Sequence, residues 1–257
     1  MKTRSLNILV LVCLFIFSGV YYAKGQQGET NAKEIIQKAY NKLQGKSSIG
    51  IMSMTIVRPD WSRTVTMKSW SLGNDYSLVY ITSPAKEKGQ VFLKRKTEMW
   101  NWVPSIERMI KLPPSMMMQS WMGSDFTNDD LVKQSSIVDD YEHKIIGSEQ
   151  IEEYDCYKIE LIPDPDAPVV WGKIISWVSK EDFITLRNEY YDEDEYLTNI
   201  EILSNIKMMH DRIIPTRFEM IPVDDEGNKT ILEFIEFKFN QPIDENFFSI
   251  QNMKRVR

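Results

Sequence analysis

The sequence predicts a mainly β fold of the α+β class, with one large, curved antiparallel sheet, an N-terminal helix and a helical cover. Three observations predict it. Apolar spacing of the helical kind is confined to Asn31–Leu43. Beyond Gly45 the pattern changes to alternation in short runs punctuated by turn residues. The strands are then interrupted once, after Pro113-Pro114, by the segment Ser115–Asp139. Helix, meander, interruption and second meander fit a single sheet that needs covering on its concave face.

The helix follows a polar stretch, Gln26–Thr30. Asn31 is its N-cap with Glu34 three residues on, Ile35, Ile36, Ala39, Tyr40 and Leu43 share one face, and Gly45 ends it. The first meander reads as strands at Ser48–Val57, Ser62–Leu72, Tyr76–Thr82, Gln90–Lys96, Glu98–Val103 and Glu107–Leu112. Proline cannot donate to a ladder and restricts the residue before it, so Pro113-Pro114 stops the last of these. In the interruption Thr127 caps a turn, with Asp129 and Asp130 where negative charge is favoured. The second meander reads as Glu142–Ile151, Cys156–Ile162, Ile174–Ser179, Thr185–Asp192, Leu197–Met208, Ile213–Ile221 and Lys229–Asn240. Asp224–Asn228 is a hairpin loop with glycine where a positive φ is wanted, and Asp244–Phe248 a turn near the C-terminus.

The first 25 residues read as a signal peptide: Lys2 and Arg4, an apolar run over Leu6–Val20, and Ala23-Lys24-Gly25 before a cleavage point at Gln26. The alternative is an uncleaved leader that anchors the chain in the inner membrane. Cleavage removes Lys2, Arg4 and Lys24 from the 31 basic residues and leaves 28 against 37 acids, a formal charge of −9. That balance argues against a nucleic-acid partner, which calls for a basic footprint. With Cys13 in the leader, Cys156 is the one cysteine of the mature chain, so no intramolecular disulfide is expected. Residues 26–257 are long enough for one substantial core and read as one domain.

Enzyme readings find little support. His143 and His210 stand in no metal-ligand spacing, and there is neither a Gly-x-Ser-x-Gly elbow nor a phosphate-cradling glycine loop. Asp192–Glu195 lacks the order of a calcium loop, and Asp129-Asp130 and Asp139-Asp140 suit helix starts and surface better than acid–base pairs. No enzyme activity, metal or cofactor is therefore expected.

The most unusual stretch is Met99–Val132, which holds three tryptophans, six methionines and three prolines. Trp100 and Trp102 share one face of a strand. Met116–Met118 cannot all be buried on one side of a regular element, so some must meet a cavity or water. Methionine is flexible and polarisable, and such a cluster suits a surface that accommodates apolar ligands.

Two blocks in this stretch carry a family resemblance: Met99-Trp100-x-Trp102-x-Pro104 with Arg108, and Met122-Gly123-Ser124-Asp125-Phe126-Thr127-x-Asp129-Asp130-Leu131. In the second meander, Trp177–Phe183, Arg187–Tyr191, Ile214-Pro215-Thr216-Arg217 and the strand from Lys229-Thr230 follow in the same order. Together they resemble the bacterial outer membrane lipoprotein-sorting proteins of the LolA-like superfamily, over nearly the whole mature chain. The block departs from the family pattern at Asn128-Asp129, where a tyrosine is typical.

The resemblance implies a half-open antiparallel barrel with an apolar concave side and a helical lid, and a periplasmic carrier of lipoprotein acyl chains or lipids. The implied partners are a lipid-modified protein or lipid and an inner-membrane transporter of the resistance–nodulation–division type. Trp100, Trp102, Met116, Met117, Met118, Trp121, Met122 and Phe126 are the expected cavity or lid residues. Arg108, Gly123, Ser124, Asp125, Asp129 and Asp130 are the motif residues expected to shape the turn. An alternative of another class makes the same groove a docking surface, with the protein an interaction subunit of such a transporter.

Overall fold

The computed structural model describes Asn31–Arg257 except residues 129, 131–135, 166 and 168, so the leader reading and Asp129 lie outside the described residues. No helix among the described residues is long and apolar enough to cross a membrane. Helix α1 spans Ala32–Gln44; the Asn31 side chain accepts from the Lys33 amide, and Gly45 ends the helix at φ 67° with its N–H on the Asn41 carbonyl. Ile35, Ile36 and Ala39 are its buried face, as the spacing predicts.

The first meander comprises β1 (Ser47–Arg58), β2 (Trp61–Leu72), β3 (Tyr76–Ser83), β4 (Val91–Arg95), β5 (Glu98–Val103) and β6 (Arg108–Lys111). The second begins with β7 (Tyr141–Ile151), β8 (Tyr154–Pro163), β9 (Lys173–Ser179), β10 (Thr185–Tyr191) and β11 (Leu197–Ser204). It continues through β12 (Lys207–Met209), β13 (Arg212–Ile214), β14 (Arg217–Pro222) and β15 (Lys229–Phe239). Thirteen strands form one antiparallel sheet in the order β6-β5-β4-β3-β2-β1-β15-β14-β11-β10-β9-β8-β7. The seam between the meanders is β1 against β15, from Ser48 opposite Phe239 to Val57 opposite Lys229. Strands β6 and β7 are the two edges, and the sheet is not closed.

Two expected strands are not continuous. Ile213–Ile221 is interrupted at Pro215-Thr216, between β13 and β14. Leu197–Met208 breaks at Asn205, which adopts φ 54° and whose carbonyl accepts from Thr216 Oγ1 at 2.8 Å. Beyond it β12 pairs with β13 as a separate two-stranded ribbon turned at His210, at φ 59°.

The described part of the interruption holds single turns rather than a long helix: 3-10 turns at Pro114–Met116 and Trp121–Gly123, and the four-residue α2, Ser136–Asp139. Thr127 caps as expected, since its Oγ1 accepts from the Asp130 amide at 3.1 Å while Asp130 Oδ2 accepts from the Thr127 amide at 2.8 Å.

Both faces of the sheet are covered. On one face α1 packs with Val138, Tyr141, Ile159, Leu161, Ile174 and Val178. On the other, the C-terminal segment seals the first meander: Phe248, Met253 and Val256 are buried against Trp70, Leu78, Tyr80, Val91 and Leu93.

Candidate functional site

A cavity of about 350 Å³ lies between the inner face of the sheet and α1. Strands β4 and β10 both line it, with six others between them in the sheet. At ~4.8 Å per strand a flat sheet would hold these walls far apart, so the sheet curves around the space.

Its walls are apolar for the most part. Met52, Met67, Val79, Phe92 and Met99 come from the first meander, and Ile174, Leu203, Phe218, Met220, Leu232, Phe234 and Phe237 from the second. Phe234 and Phe237 stack at 4.0 Å between ring centroids. The space remains open because several inward positions carry small side chains: Ser48, Ser69, Ser71, Ser77 and Ser176 all line it. Ser48 and Ser71 satisfy each other across β1 and β2 at 2.7 Å. Strands β10 and β11 add a polar cluster of Asn188, Tyr190 and Glu201, and Lys42, Lys94 and Asp130 also line the cavity.

The expected site residues divide. Trp121 and Phe126 line the cavity; Trp121 is buried and meets Phe92 edge-on at 5.3 Å, and its indole N–H has no partner among the described residues. Met117 and Met122 pack beside them on Met54, Ile56, Met67 and Met99. Met116 is half-buried and gives its carbonyl to Asn128 Nδ2 at 2.9 Å, while Met118 is 59% exposed.

Trp100 and Trp102 are elsewhere. Register sets Trp100 opposite Leu93 and Trp102 opposite Val91, so both point to the outer face and pack beneath the C-terminal segment. Lys254 Nζ lies 4.9 Å from the Trp102 ring. The residue of this strand that faces the cavity is Met99. Arg108 begins the edge strand β6 and is exposed, away from the cavity.

The Met122–Asp130 block is fastened to the sheet. Asp125 receives two hydrogen bonds from Arg58, at 3.0 and 3.1 Å, and a third from Thr230 Oγ1 at 2.7 Å. Arg58 also donates to the Gly123 carbonyl at 3.1 Å, and Arg63 to the Met122 carbonyl. These contacts hold Met122 and Gly123 at φ 55° and 77°, a conformation that costs little for glycine and more for methionine. Ser124 is buried, with its hydroxyl on the Trp121 carbonyl at 2.7 Å. Asp130 both closes the Thr127 cap and lines the cavity.

The histidines take no part in the cavity. His143 Nε2 is 2.8 Å from the Ile137 carbonyl, and burial lowers its pKa; His210 occupies the turn between β12 and β13. Cys156 is a free, buried thiol whose pKa burial raises.

A family model described as "Uncharacterized protein" matches residues 73–255. No curated protein matches the sequence. Among solved structures, a domain assigned to outer membrane lipoprotein sorting from Vibrio parahaemolyticus is similar at 23% identity and TM-score 0.75, covering 87% of this chain and 98% of that one. A DUF1329 family protein from Desulfovibrio piger gives 22% identity and TM-score 0.77, with 86% and 98% covered. A LolA superfamily protein from Nitrosomonas europaea gives 24% identity and TM-score 0.73, also with 86% and 98% covered. The chain belongs to the family that the matching model describes, and its fold is that of the LolA superfamily.

Proposed function

We propose that the protein is a periplasmic carrier that shelters the acyl chains of a lipid or a lipoprotein for delivery towards the outer membrane. The observation that carries the reading is the cavity: about 350 Å³ of space walled by Met67, Val79, Phe92, Phe234 and other apolar side chains. That volume falls within the ~300–1,000 Å³ range of ligand sites. Each ~40 Å² of acyl surface taken from water contributes about 1 kcal/mol, so binding needs no specific polar contact along the chain. In this reading the sheet is the wall of a half-open barrel and the Pro113–Asp130 segment is part of its lid. Lid residues such as Met117 and Met122 can repack against protein or ligand as cargo enters and leaves.

The test is direct. Purified protein is extracted and its lipids identified by mass spectrometry, and uptake of a fluorescent fatty acyl probe is titrated. Recovery of stoichiometric lipid, or saturable uptake of one probe per chain, is expected; neither lipid nor uptake would end the carrier reading.

A further inference from the structure

The polar cluster on one wall of the cavity has a defined geometry. Asn188 on β10 and Glu201 on β11 are direct cross-strand partners, and Tyr190 follows Asn188 on the same face. Asn188 Nδ2 and the Tyr190 hydroxyl both donate to Glu201 Oε2, at 2.8 and 2.9 Å. The Tyr190 ring leans on Trp171 at 5.1 Å between centroids, and the Trp171 indole N–H reaches Asp130 Oδ1 at 3.4 Å. All five residues line the cavity.

The cluster has acceptors to spare. Asn188 is 6% exposed, and its Oδ1 accepts no hydrogen bond from the described residues. Flipping the amide would not cure this, because it would turn Oδ1 onto the Glu201 carboxylate. Burial first, and the Asp130 charge with it, raise the pKa of Glu201 against the hydrogen bonds from Asn188 and Tyr190. A carboxylate in such a place gains from a positive partner. The lysines that line the cavity, Lys42 and Lys94, rise from α1 and β4, and Lys42 Nζ is bonded to the Asp182 carbonyl at 2.6 Å.

We propose that Glu201 and Asn188 bind the protonated amine end of an amphiphile whose hydrocarbon chain fills the rest of the cavity. The proposal rests on the carrier reading and adds a polar end to it. An ammonium offers three donors and no acceptor, which is what an orphaned amide oxygen and a carboxylate require. The aromatic faces of Trp171 and Tyr190 beside them suit a cation as well.

The experiment displaces a bound fluorescent acyl probe with dodecylamine, dodecanol and dodecanoate at neutral pH, each below its micelle concentration. The amine is expected to bind about tenfold more tightly than the alcohol, and more tightly than the carboxylate, as charge-assisted hydrogen bonds predict. Glu201→Gln, which keeps an acceptor for Tyr190 but turns an amide N–H₂ to the cavity, should remove the amine preference. Equal affinity for all three ligands would overturn the polar end and leave the carrier reading standing. Tightest binding of dodecanoate would overturn it in favour of Lys94. An undiminished amine preference in folded Glu201→Gln would also overturn it. Failure of every ligand and of the probe itself would overturn both readings. Should Glu201→Gln not fold, the comparison of the three ligands on the native protein decides alone.

Discussion

Arg58 and Asp125 form a two-pronged ion pair, Nη1 to Oδ2 at 3.1 Å and Nη2 to Oδ1 at 3.0 Å, with side chains 17% and 9% exposed. Arg58 ends β1 and Asp125 stands in the Met-Gly-Ser-Asp-Phe block, so the pair joins the segment over the cavity to the seam of the sheet. Thr230 on β15 bonds the same carboxylate, which makes the fastening a three-way contact.

Breaking that fastening should loosen the segment more than the sheet. Removing one partner of a largely buried ion pair costs about 3 kcal/mol. Arg58→Ala and Asp125→Ala should each lower the melting temperature, and hydrogen exchange should accelerate around Trp121–Thr127 while β8 and β9 stay protected. Uniform acceleration across the sheet would show that the pair supports the whole fold instead.

The two faces of the sheet should separate stability from uptake. Phe234→Glu places a charge on the cavity wall and should abolish acyl-probe uptake with circular dichroism preserved. Trp102→Ala removes packing under the C-terminal segment, so it should cost about 2 kcal/mol in urea unfolding and leave uptake unchanged. Loss of uptake in folded Trp102→Ala would return that tryptophan to the site.

Gly50 offers a way to fill the cavity from outside it. A Cβ there would fall 2.4 Å from the Phe237 ring, which lines the cavity and stacks on Phe234. Gly50→Ala should push that ring inward, destabilise by about 2 kcal/mol and weaken binding of long acyl probes more than short ones. Equal loss across chain lengths would mean the ring moves some other way.

Glu201 predicts a pH dependence. Its pKa is raised in the folded protein from an ordinary 4.5, chiefly by burial, so the folded state holds this proton more firmly than the unfolded one. Stability from this group is therefore greatest below pH 4.5 and declines as pH rises through that value towards the raised pKa. Glu201→Gln should melt higher than the native protein at neutral pH, and the gap should close on acidification. A gap independent of pH would assign the effect to packing.

The strands were legible because alternation and turn residues mark them locally, and α1 because its cap, apolar face and Gly45 agree. The Met122–Asp130 block was legible as a turn for the same reason: Thr127 and Asp130 sit at capping-box spacing. Which face of β5 meets the cavity was not legible. Both of its faces are apolar, and only the pairing with β4 puts Met99 inward and Trp100 and Trp102 outward. The C-terminal cover was missed because Phe248, Met253 and Val256 follow no period. The serines that leave the cavity open had a signal of another kind, small polar residues at inward positions of β2 and β3 where bulk would close the space.

The seam has a consequence for how the molecule comes into being. Strand β1 ends at Arg58 and its partner β15 begins at Lys229, so the middle of the sheet joins the first strand made to the last. A chain still being synthesised can zip β1 to β6 but leaves β1 as a bare flank, with the inner wall of the future cavity half built. Only when Phe239 has emerged do the two sheets become one, so completion of the binding chamber waits for nearly the entire polypeptide.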